Sequence, residues 1–292
     1  MNIYKTQVKL TLCLLALTAA SSLHAETVSL PGGRSPRSRA QSAKPGPNRQ
    51  VFVAPDVDHV FPYILASGTW TTTFYLTNLE DREIKVECEF VGTNGEEKSF
   101  KFNFQGPNDE PGAFIATTIP KFATDSYSIV SSSTAPLSTA WAYCNSDPRT
   151  DRFSGYAVVR NTATNGVFRE FVTGLHPESE PVFSVPFIDS ATGSTALILL
   201  NSSLDTDSSL ALSMFDREGK TVGTSTVVLK PGNLRLLVLN DVFKDVKNGT
   251  VRVVLAEGSQ RVTGLALRSN AGGFVPLHPL TPKEAPPEVA PQ

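Results

Sequence analysis

The amino-acid sequence predicts an all-β protein made of two tandem antiparallel β-sandwich domains. Three observations predict this fold: apolar residues alternate with polar ones, turn-forming residues separate strand-length runs, and a long segment repeats itself. The chain has 292 residues, enough for about two domains. With 40% hydrophobic and 18% charged residues it can bury a core. Parallel α/β folds need long helical crossovers, and the sequence shows none.

Residues 1–25 are predicted to form a secretory signal peptide. Lys5 and Lys9 supply a positive start, an apolar stretch runs from Leu10 to Ala20, and the segment ends in a small residue suited to cleavage. The apolar stretch is shorter than the ~20 residues of a membrane-spanning helix. We therefore expect an exported protein, secreted or periplasmic, with no transmembrane segment in the mature chain.

Both ends of the mature chain are expected to lie outside the folded domains. Residues 26–50 are rich in Pro, Gly, Ser and Arg, carry a local charge of +4, and predict a basic disordered linker. A basic arm that touches an anionic envelope polymer is the alternative interpretation. Residues 281–292 contain four prolines and predict an extended Pro-rich tail.

The region 51–280 contains a diverged internal repeat. A strand-like run that ends at Asn78 recurs 123 residues later and ends at Asn201. An alternating strand follows each run, and a tight turn then recurs from Gly95 to Gly219, 124 residues apart. The constant offset across this hairpin indicates that both copies fold in the same way.

A second pair of matching segments lies near the end of each copy. Residues 154–161 match residues 263–270 at an offset of only 109, so the first copy carries extra loop residues. These boundaries predict one β-sandwich domain over 51–176 and a second over 177–280.

Two of these motifs carry a resemblance to a known group of proteins. The W-T-T run from Trp70 to Asn78 and the S-G-Y-A-V-x-R run from Ser154 to Arg160 resemble tandem modules of predicted secreted bacterial proteins. Their general form is similar to immunoglobulin-like or fibronectin-like sandwiches. The resemblance covers most of 60–280 and implies the fold and an exported location. It implies no function, because such modules carry no established activity.

Cys88 and Cys144 are the cysteines that remain after the leader. An exported protein meets an oxidising compartment, so we expect a disulfide between them, with two separate buried thiols as the alternative. The repeat places Cys88 at the position of Leu212, on the core side of its strand. Cys144 takes the position of Leu255 if the following loop is two residues longer in the first copy. The bond would close a loop of about 57 residues and contribute roughly 4 kcal/mol.

Aromatic side chains of the first copy are candidates for ligand binding. The alternation that buries Cys144 turns Trp141 and Tyr143 to the other side of the strand, where they could stack on sugar rings or anchor another protein. Packing against the second copy or under a loop is the alternative. Trp70, at the start of its strand, is a third candidate.

The sequence offers little that points to catalysis. It contains no G-x-S-x-G, H-E-x-x-H or C-x-x-C motif, and three cysteines and four histidines exclude a Cys-rich zinc framework. His59 follows two aspartates, which is poor support for a cation site. We predict no catalytic residue, no metal site and no cofactor. A net charge of −2 argues against nucleic-acid binding.

These observations favour an exported, non-catalytic binding or structural protein of the cell envelope or extracellular space. Its partner would be an envelope polysaccharide or another exported protein. One alternative is a carbohydrate-binding or adhesion module that uses the aromatic residues of the first domain. A second alternative is a hydrolase whose site lies in the loops 105–113 or 145–153.

Overall fold

The computed structural model describes most of the repeat region. The described residues are 59–98, 100–103, 114–132, 134–148, 150, 152–162, 168–177, 182–188, 193–244, 246–257, 259, 261–270, 273–277 and 279–280. The predicted signal peptide, basic linker and Pro-rich tail lie outside them. Within the described residues, no helix has the length and apolar character to cross a membrane.

The described part of the chain is almost entirely β-strand, with one helical turn, α1. The elements in order are β1 His59–Ala66, β2 Trp70–Asn78, β3 Ile84–Gly92, β4 Lys101–Asn103, β5 Phe114–Ile119, β6 Thr124–Val130, β7 Ser138–Asp147, β8 Phe153–Thr162, β9 Phe168–Gly174, β10 His176–Pro177, β11 Val182–Ile188, β12 Ser194–Asn201, β13 Ser208–Phe215, β14 Thr221–Leu229, β15 Leu234–Val238, α1 Leu239–Val242, β16 Asn248–Leu255, β17 Val262–Asn270 and β18 Gly273–Leu277.

The strands form four antiparallel sheets, two in each copy of the repeat. In the first copy, which we call the first module, sheet A1 has the order β10-β1-β7-β3-β5 and sheet B1 the order β4-β6-β2-β8-β9. In the second module, sheet A2 has the order β11-β16-β13-β14 and sheet B2 the order β15-β12-β17-β18. The predicted all-β, antiparallel character is confirmed. The boundary between 176 and 177 stays a prediction, and β10 at this point pairs with β1 of the first module.

Each module has a core between its two sheets. In β2, Phe74 and Leu76 are buried while Thr73, Tyr75 and Thr77, which alternate with them, are more exposed, as expected for a strand with one face in the core. Phe74 packs against Phe61 and Phe90 of sheet A1, with ring centroids 5.2 and 5.5 Å apart. Leu197 of β12 takes the corresponding place in the core of the second module. The two sheets of each module therefore pack as a β-sandwich.

A buried threonine recurs in both modules with the same hydrogen bonds. The Thr72 hydroxyl donates to the Leu65 carbonyl at 2.7 Å and accepts from the Leu65 amide at 3.2 Å. Thr195 makes the same two contacts with Ile188, at 3.2 and 3.3 Å. Each threonine replaces ladder hydrogen bonds where one strand turns into the next, so this part of the repeated motif is structural.

A buried asparagine also recurs with the same role. Asn78 and Asn201 end β2 and β12, and neither side chain is exposed to solvent. Each Nδ2 lies within hydrogen-bond distance of three carbonyl oxygens, those of Arg82, Ile119 and Pro120 in the first module and of Thr206, Leu229 and Lys230 in the second. These contacts tie the end of each strand to the carbonyls of neighbouring strand ends and turns.

The two modules pack against each other through different sheets. A third apolar cluster joins the outer face of A1, together with residues of β2, β8 and β9 of B1, to the outer face of B2. Its members are Val60, Tyr63, Leu65, Trp70, Val91, Trp141, Val159 and Phe171 from the first module and Ile198, Leu200, Leu234, Leu265 and Leu267 from the second. Strands β1 and β12 are consequently buried on both faces, which explains why they read as nearly continuous apolar runs.

Two turns meet where the modules join. The amide of Leu234 donates to the carbonyl of Thr93 at 3.0 Å. Gly95 and Gly232 have φ values of 83° and 68° and lie against each other. A Cβ on Gly95 would lie 2.5 Å from the Pro231 oxygen, and one on Gly232 would lie 2.7 Å from the Gly95 Cα. Only glycine combines a positive φ with such a close approach to the neighbouring backbone at these positions.

The predicted disulfide between Cys88 and Cys144 is confirmed. The two residues face each other across β3 and β7 within sheet A1, and both are buried in the first core. In the second module, Leu212 faces Val253 rather than Leu255. The expected match of Cys144 with Leu255 is thus corrected, because the extra residues of the first copy lie before β7 and not after Cys144.

Candidate functional site

Trp141 lies in the contact between the modules. None of its side chain is exposed, and its indole Nε1 donates a 2.8 Å hydrogen bond to the carbonyl oxygen of Gly232. Its ring does point away from the core that contains Cys144, as the alternation predicts. Of the two interpretations that the sequence left open for Trp141, the structure agrees with packing against the second module, which covers this face and leaves no ring surface for a ligand.

Trp70 and Tyr143 lie beside the same contact. Trp70 is 8% exposed, and its ring centroid is 6.0 Å from that of Phe274 in the second module. Tyr143 is half-buried next to Trp141, and its hydroxyl hydrogen-bonds to the carboxylate of Glu89. The structure therefore brings the three predicted ligand-binding residues together, but around the contact between the modules.

A different pair of aromatic rings lies on the outer face of sheet B1. Tyr75 of β2 and Tyr156 of β8 face each other across the two strands. Their ring centroids are 4.7 Å apart and their planes differ by 16°, which is a stacked arrangement. Tyr156 is 42% exposed and Tyr75 is half-buried. We call this pair and the side chains around it on the outer face of B1 the tyrosine face.

Hydroxyl side chains surround the two rings. Thr73 and Ser128 hydrogen-bond across β2 and β6 at 2.8 Å, and Thr77 and Thr124 do so at 2.9 Å. The strand registers place Thr71, Ser126 and Ser154 on the same face. Hydroxyls are donors and acceptors at once, so this surface can hydrogen-bond to a ligand rich in hydroxyl groups.

Among the side chains that the structure describes on the tyrosine face, the charged ones are Arg160 and Glu170, which form an ion pair. Arg160 Nη2 lies 2.9 Å from Glu170 Oε2, on neighbouring strands β8 and β9. The two side chains are half-exposed and neutralise each other. The arrangement gives an anionic or cationic ligand little electrostatic advantage.

The described residues leave space beside one face of Tyr156. Strands are ~4.8 Å apart, so two rings stacked on neighbouring strands stand upright on the sheet, and one face of Tyr156 covers Tyr75. The opposite face points toward β9, where Gly174 is the register partner of Tyr156. A Cβ on Gly174 would meet only His176 Nε2, 4.0 Å away. Among the described residues, no other atom lies within 4 Å of this position beside the Tyr156 ring.

In the second module, the equivalent face is buried in the contact between the modules. Ile198 and Leu265 face each other across β12 and β17, at the positions that Tyr75 and Tyr156 occupy in the first module. Both aliphatic residues are fully buried against the first module. The same sheet face thus carries aliphatic residues where it is covered, and tyrosines with hydroxyl side chains where it is exposed.

The alternation of β2 could have identified Tyr75 from the sequence. In Thr72 to Thr77, the pattern that buries Phe74 and Leu76 turns Tyr75 outward. Tyr156 follows from the pairing of β2 with β8, which only the structure supplies. The sequence analysis instead selected aromatics of β7, whose outer side is covered by the second module.

A polar cluster closes the open edge of the first sandwich. The Tyr127 hydroxyl donates to Thr117 Oγ1 at 2.6 Å and lies 3.1 Å from Asp125 Oδ2. Burial, opposed by the Thr117 hydrogen bond and assisted by the Asp125 charge, raises the pKa of Tyr127 to about 12. The cluster links β5 of sheet A1 to β6 of sheet B1 and is structural.

The described residues show no alternative site built on metal ligands. Among them, no group of three or more His, Cys, Asp or Glu side chains could hold a metal ion. His59 packs its ring against Phe153, with centroids 6.0 Å apart. The aspartates that precede it, the loop 105–113, Asp151 and His278 lie outside the described residues.

Comparison with known proteins places the chain in no family. No protein-family model and no curated protein sequence matches it. Among solved structures, the C-terminal domain of the Streptococcus pyogenes antigen I/II-family protein AspA is similar at 10% sequence identity, over 73% of this chain and 84% of that domain, with a TM-score of 0.16. A TM-score this low does not establish a shared fold.

Proposed function

We propose that this protein is an exported, non-catalytic binding protein whose tyrosine face holds neutral, extended polysaccharide chains. The observation that carries the proposal is the stacked, solvent-exposed pair Tyr75 and Tyr156 on a hydroxyl-rich sheet face. This is the carbohydrate-binding interpretation of the sequence, moved from Trp70, Trp141 and Tyr143 to another surface.

The chemistry of a sugar ring fits this surface. A pyranose presents a C–H face, which stacks on an aromatic ring, and a rim of hydroxyl groups, which exchange hydrogen bonds with threonine and serine side chains. The open space above Gly174 allows one sugar ring to lie against the free face of Tyr156. The neighbouring threonines of β2 would bond the hydroxyls of the same chain.

The charged residues of the tyrosine face favour a neutral polysaccharide over a charged one. Arg160 and Glu170 form an ion pair, so among the described side chains of this face a polyanion would meet no cation that lacks a carboxylate partner. An extended chain follows from the shape, because the outer face of an antiparallel sheet is a shallow surface without a deep pocket. Each aromatic contact contributes about 0.5–1.5 kcal/mol, which predicts weak binding that several contacts along one polymer strengthen.

Export is part of the proposal. A disulfide between Cys88 and Cys144 is typical of proteins that fold in an oxidising compartment. The hydrophobic leader of residues 1–25 supports the same location. Envelope or extracellular polysaccharides are the neutral polymers that such a protein would meet.

Affinity electrophoresis tests the proposal. The full chain is run through native gels containing hydroxyethylcellulose, xylan or mannan, with alginate as the polyanionic control. We expect retardation by at least one neutral polymer and none by alginate. The same mixtures, assayed for new reducing ends, should show no cleavage. Absence of retardation in all three neutral gels would overturn the proposal, as would retardation by alginate alone.

Three variants at two positions locate the site. Tyr156→Ala removes the stacking ring, and Gly174→Val fills the adjoining space while both tyrosines remain. The φ of Gly174 lies outside the left-handed region, and a Cβ has room at this position. We therefore expect the Gly174→Val variant to fold normally. Tyr156→Phe, the matched control, keeps the ring. Retardation should fall about tenfold in the first two variants and persist in the control. Equal retardation of all four proteins would exclude the tyrosine face.

A further inference from the structure

We propose that β14, Thr221–Leu229, is an edge through which two copies of this chain join as an antiparallel dimer. The strand lies at the outer edge of sheet A2 and, within the described residues, pairs only with β13. An edge strand presents a row of backbone N–H and C=O groups that can pair with another strand. This inference is independent of the proposed polysaccharide binding.

Other edges of the sheets are shorter or already have contacts. The edge strands β4, β5 and β10 contain three, six and two residues, whereas β14 contains nine. The edge of β11 is occupied at Ser184, which exchanges two backbone hydrogen bonds with Leu280 at 2.9 and 2.8 Å. The start of β15 bonds to the first module through Leu234. The remaining edge strands, β9 and β18, contain seven and five residues and lie against each other where the modules meet, with the Phe171 and Phe274 ring centroids 6.1 Å apart. Among the described strands, β14 is therefore the longest sheet edge without such a contact.

The composition of β14 lacks the usual protection of an edge strand. In natural proteins, charged side chains, prolines or a short length keep edge strands from pairing with another chain. The sequence TVGTSTVVL contains neither a charge nor a proline. Val222 and Val228 are 42% and 52% exposed. Such an edge is expected to be covered in the assembled protein.

The outer-face residues of β14, at positions 222, 224, 226 and 228, are symmetric about Ser225, and this symmetry favours a second copy as the partner. Antiparallel pairing centred on Ser225 places Thr224 opposite Thr226 and Val222 opposite Val228 of the other copy. Thr–Thr and Val–Val are favourable cross-strand pairs. The pairing has a two-fold axis, so it closes at two copies and does not continue into a fibre.

The dimer would continue an existing ladder. Sheet A2 has four antiparallel strands and would become one sheet of eight across the two copies. Just outside the strand, Lys220 of one copy would face Lys230 of the other. Asp207 Oδ2 lies 2.7 Å from Lys230 Nζ and offsets this charge, so the ends of the pairing carry no large repulsion.

Sedimentation equilibrium of the purified full chain at micromolar concentrations tests the dimer, and two double variants test the register. T224K/T226K places lysines opposite lysines in the proposed pairing and should weaken the dimer at least tenfold. T224K/T226E places lysines opposite glutamates and should restore it. All three substitutions lie on the outer face of the strand, and thermal unfolding compares their folded states.

Each outcome is decisive. A wild-type chain that stays monomeric throughout the concentration range overturns the proposal, including the case in which β14 binds a strand of another protein. A wild-type dimer that survives in T224K/T226K, or that T224K/T226E fails to restore while remaining folded, also overturns it. Hydrogen exchange of the wild-type chain needs no variant. Protection of β14 amides should rise with protein concentration if the edge is buried in the dimer, and stay constant if it is not.

Discussion

The indole of Trp141 donates its hydrogen bond to the backbone of Gly232, 91 residues further along the chain. This contact joins sheet A1 of the first module to a turn of the second. Because the modules meet through unlike faces, the outer face of B1 and the sheet A2 of the second module remain turned away from the contact. The tyrosine face and the β14 edge lie on these two sheets, so the proposed ligand and the proposed second copy would not compete for one surface.

Truncation of Trp141 should destabilise the whole protein. Trp141→Ala leaves a large cavity and removes the donor to the Gly232 carbonyl, which should lower the free energy of unfolding by about 3–5 kcal/mol. Urea unfolding measures this change. Tyr156→Ala, on an exposed ring, is the control and should change the free energy by less than about 1 kcal/mol. Similar effects of the two substitutions would contradict the burial of Trp141.

The two hairpin glycines of the repeat should respond differently to alanine. Gly95 and Gly219 have φ values of 83° and 79°, so alanine costs roughly 1–2 kcal/mol at either position through backbone strain alone. A Cβ on Gly219 meets no atom within 4 Å, whereas one on Gly95 collides with the Pro231 carbonyl. Gly95→Ala should therefore destabilise the protein more than Gly219→Ala in urea unfolding. Equal losses would show that the turns do not meet as described.

We expect reduction of the disulfide to lower the free energy of unfolding. The bond links residues separated by 56 positions, so its loss should cost roughly 2–4 kcal/mol of unfolding free energy. Unfolding curves with and without reductant measure the difference. In the absence of reductant, the unfolded protein should react with no thiol reagent at Cys88 or Cys144. Alkylation of both residues under that condition would contradict the bond.

The raised pKa of Tyr127 leads us to expect a lower free energy of unfolding at alkaline pH. Its pKa is raised from 10.0 to about 12 in the folded protein, so folding favours the neutral phenol. Its contribution is complete below pH 10 and disappears as the pH rises from 10 to about 12. Unfolding free energies across this range should fall less steeply in Tyr127→Phe than in the wild type. Parallel curves would assign the alkaline loss to other groups.

The sequence alone predicted the all-β class, the repeated strand pattern and the disulfide, for which two separate thiols were the alternative. These features depend on local alternation and on a constant offset between copies, both of which can be read along the chain. The same alternation placed Trp141 on the side of β7 opposite to Cys144. The roles of Thr72 and Asn78 were not predicted, because the carbonyls that they satisfy come from neighbouring strands and loops.

Only the tertiary structure decided which outward faces meet solvent. Alternation separates two faces of a strand, but a face that points away from one core can still be covered by another module, as the burial of Trp141 shows. The pairing of Tyr75 with Tyr156 and the free edge of β14 likewise depend on which strands become neighbours. These are contacts between distant parts of the chain, and packing of whole sheets determines them.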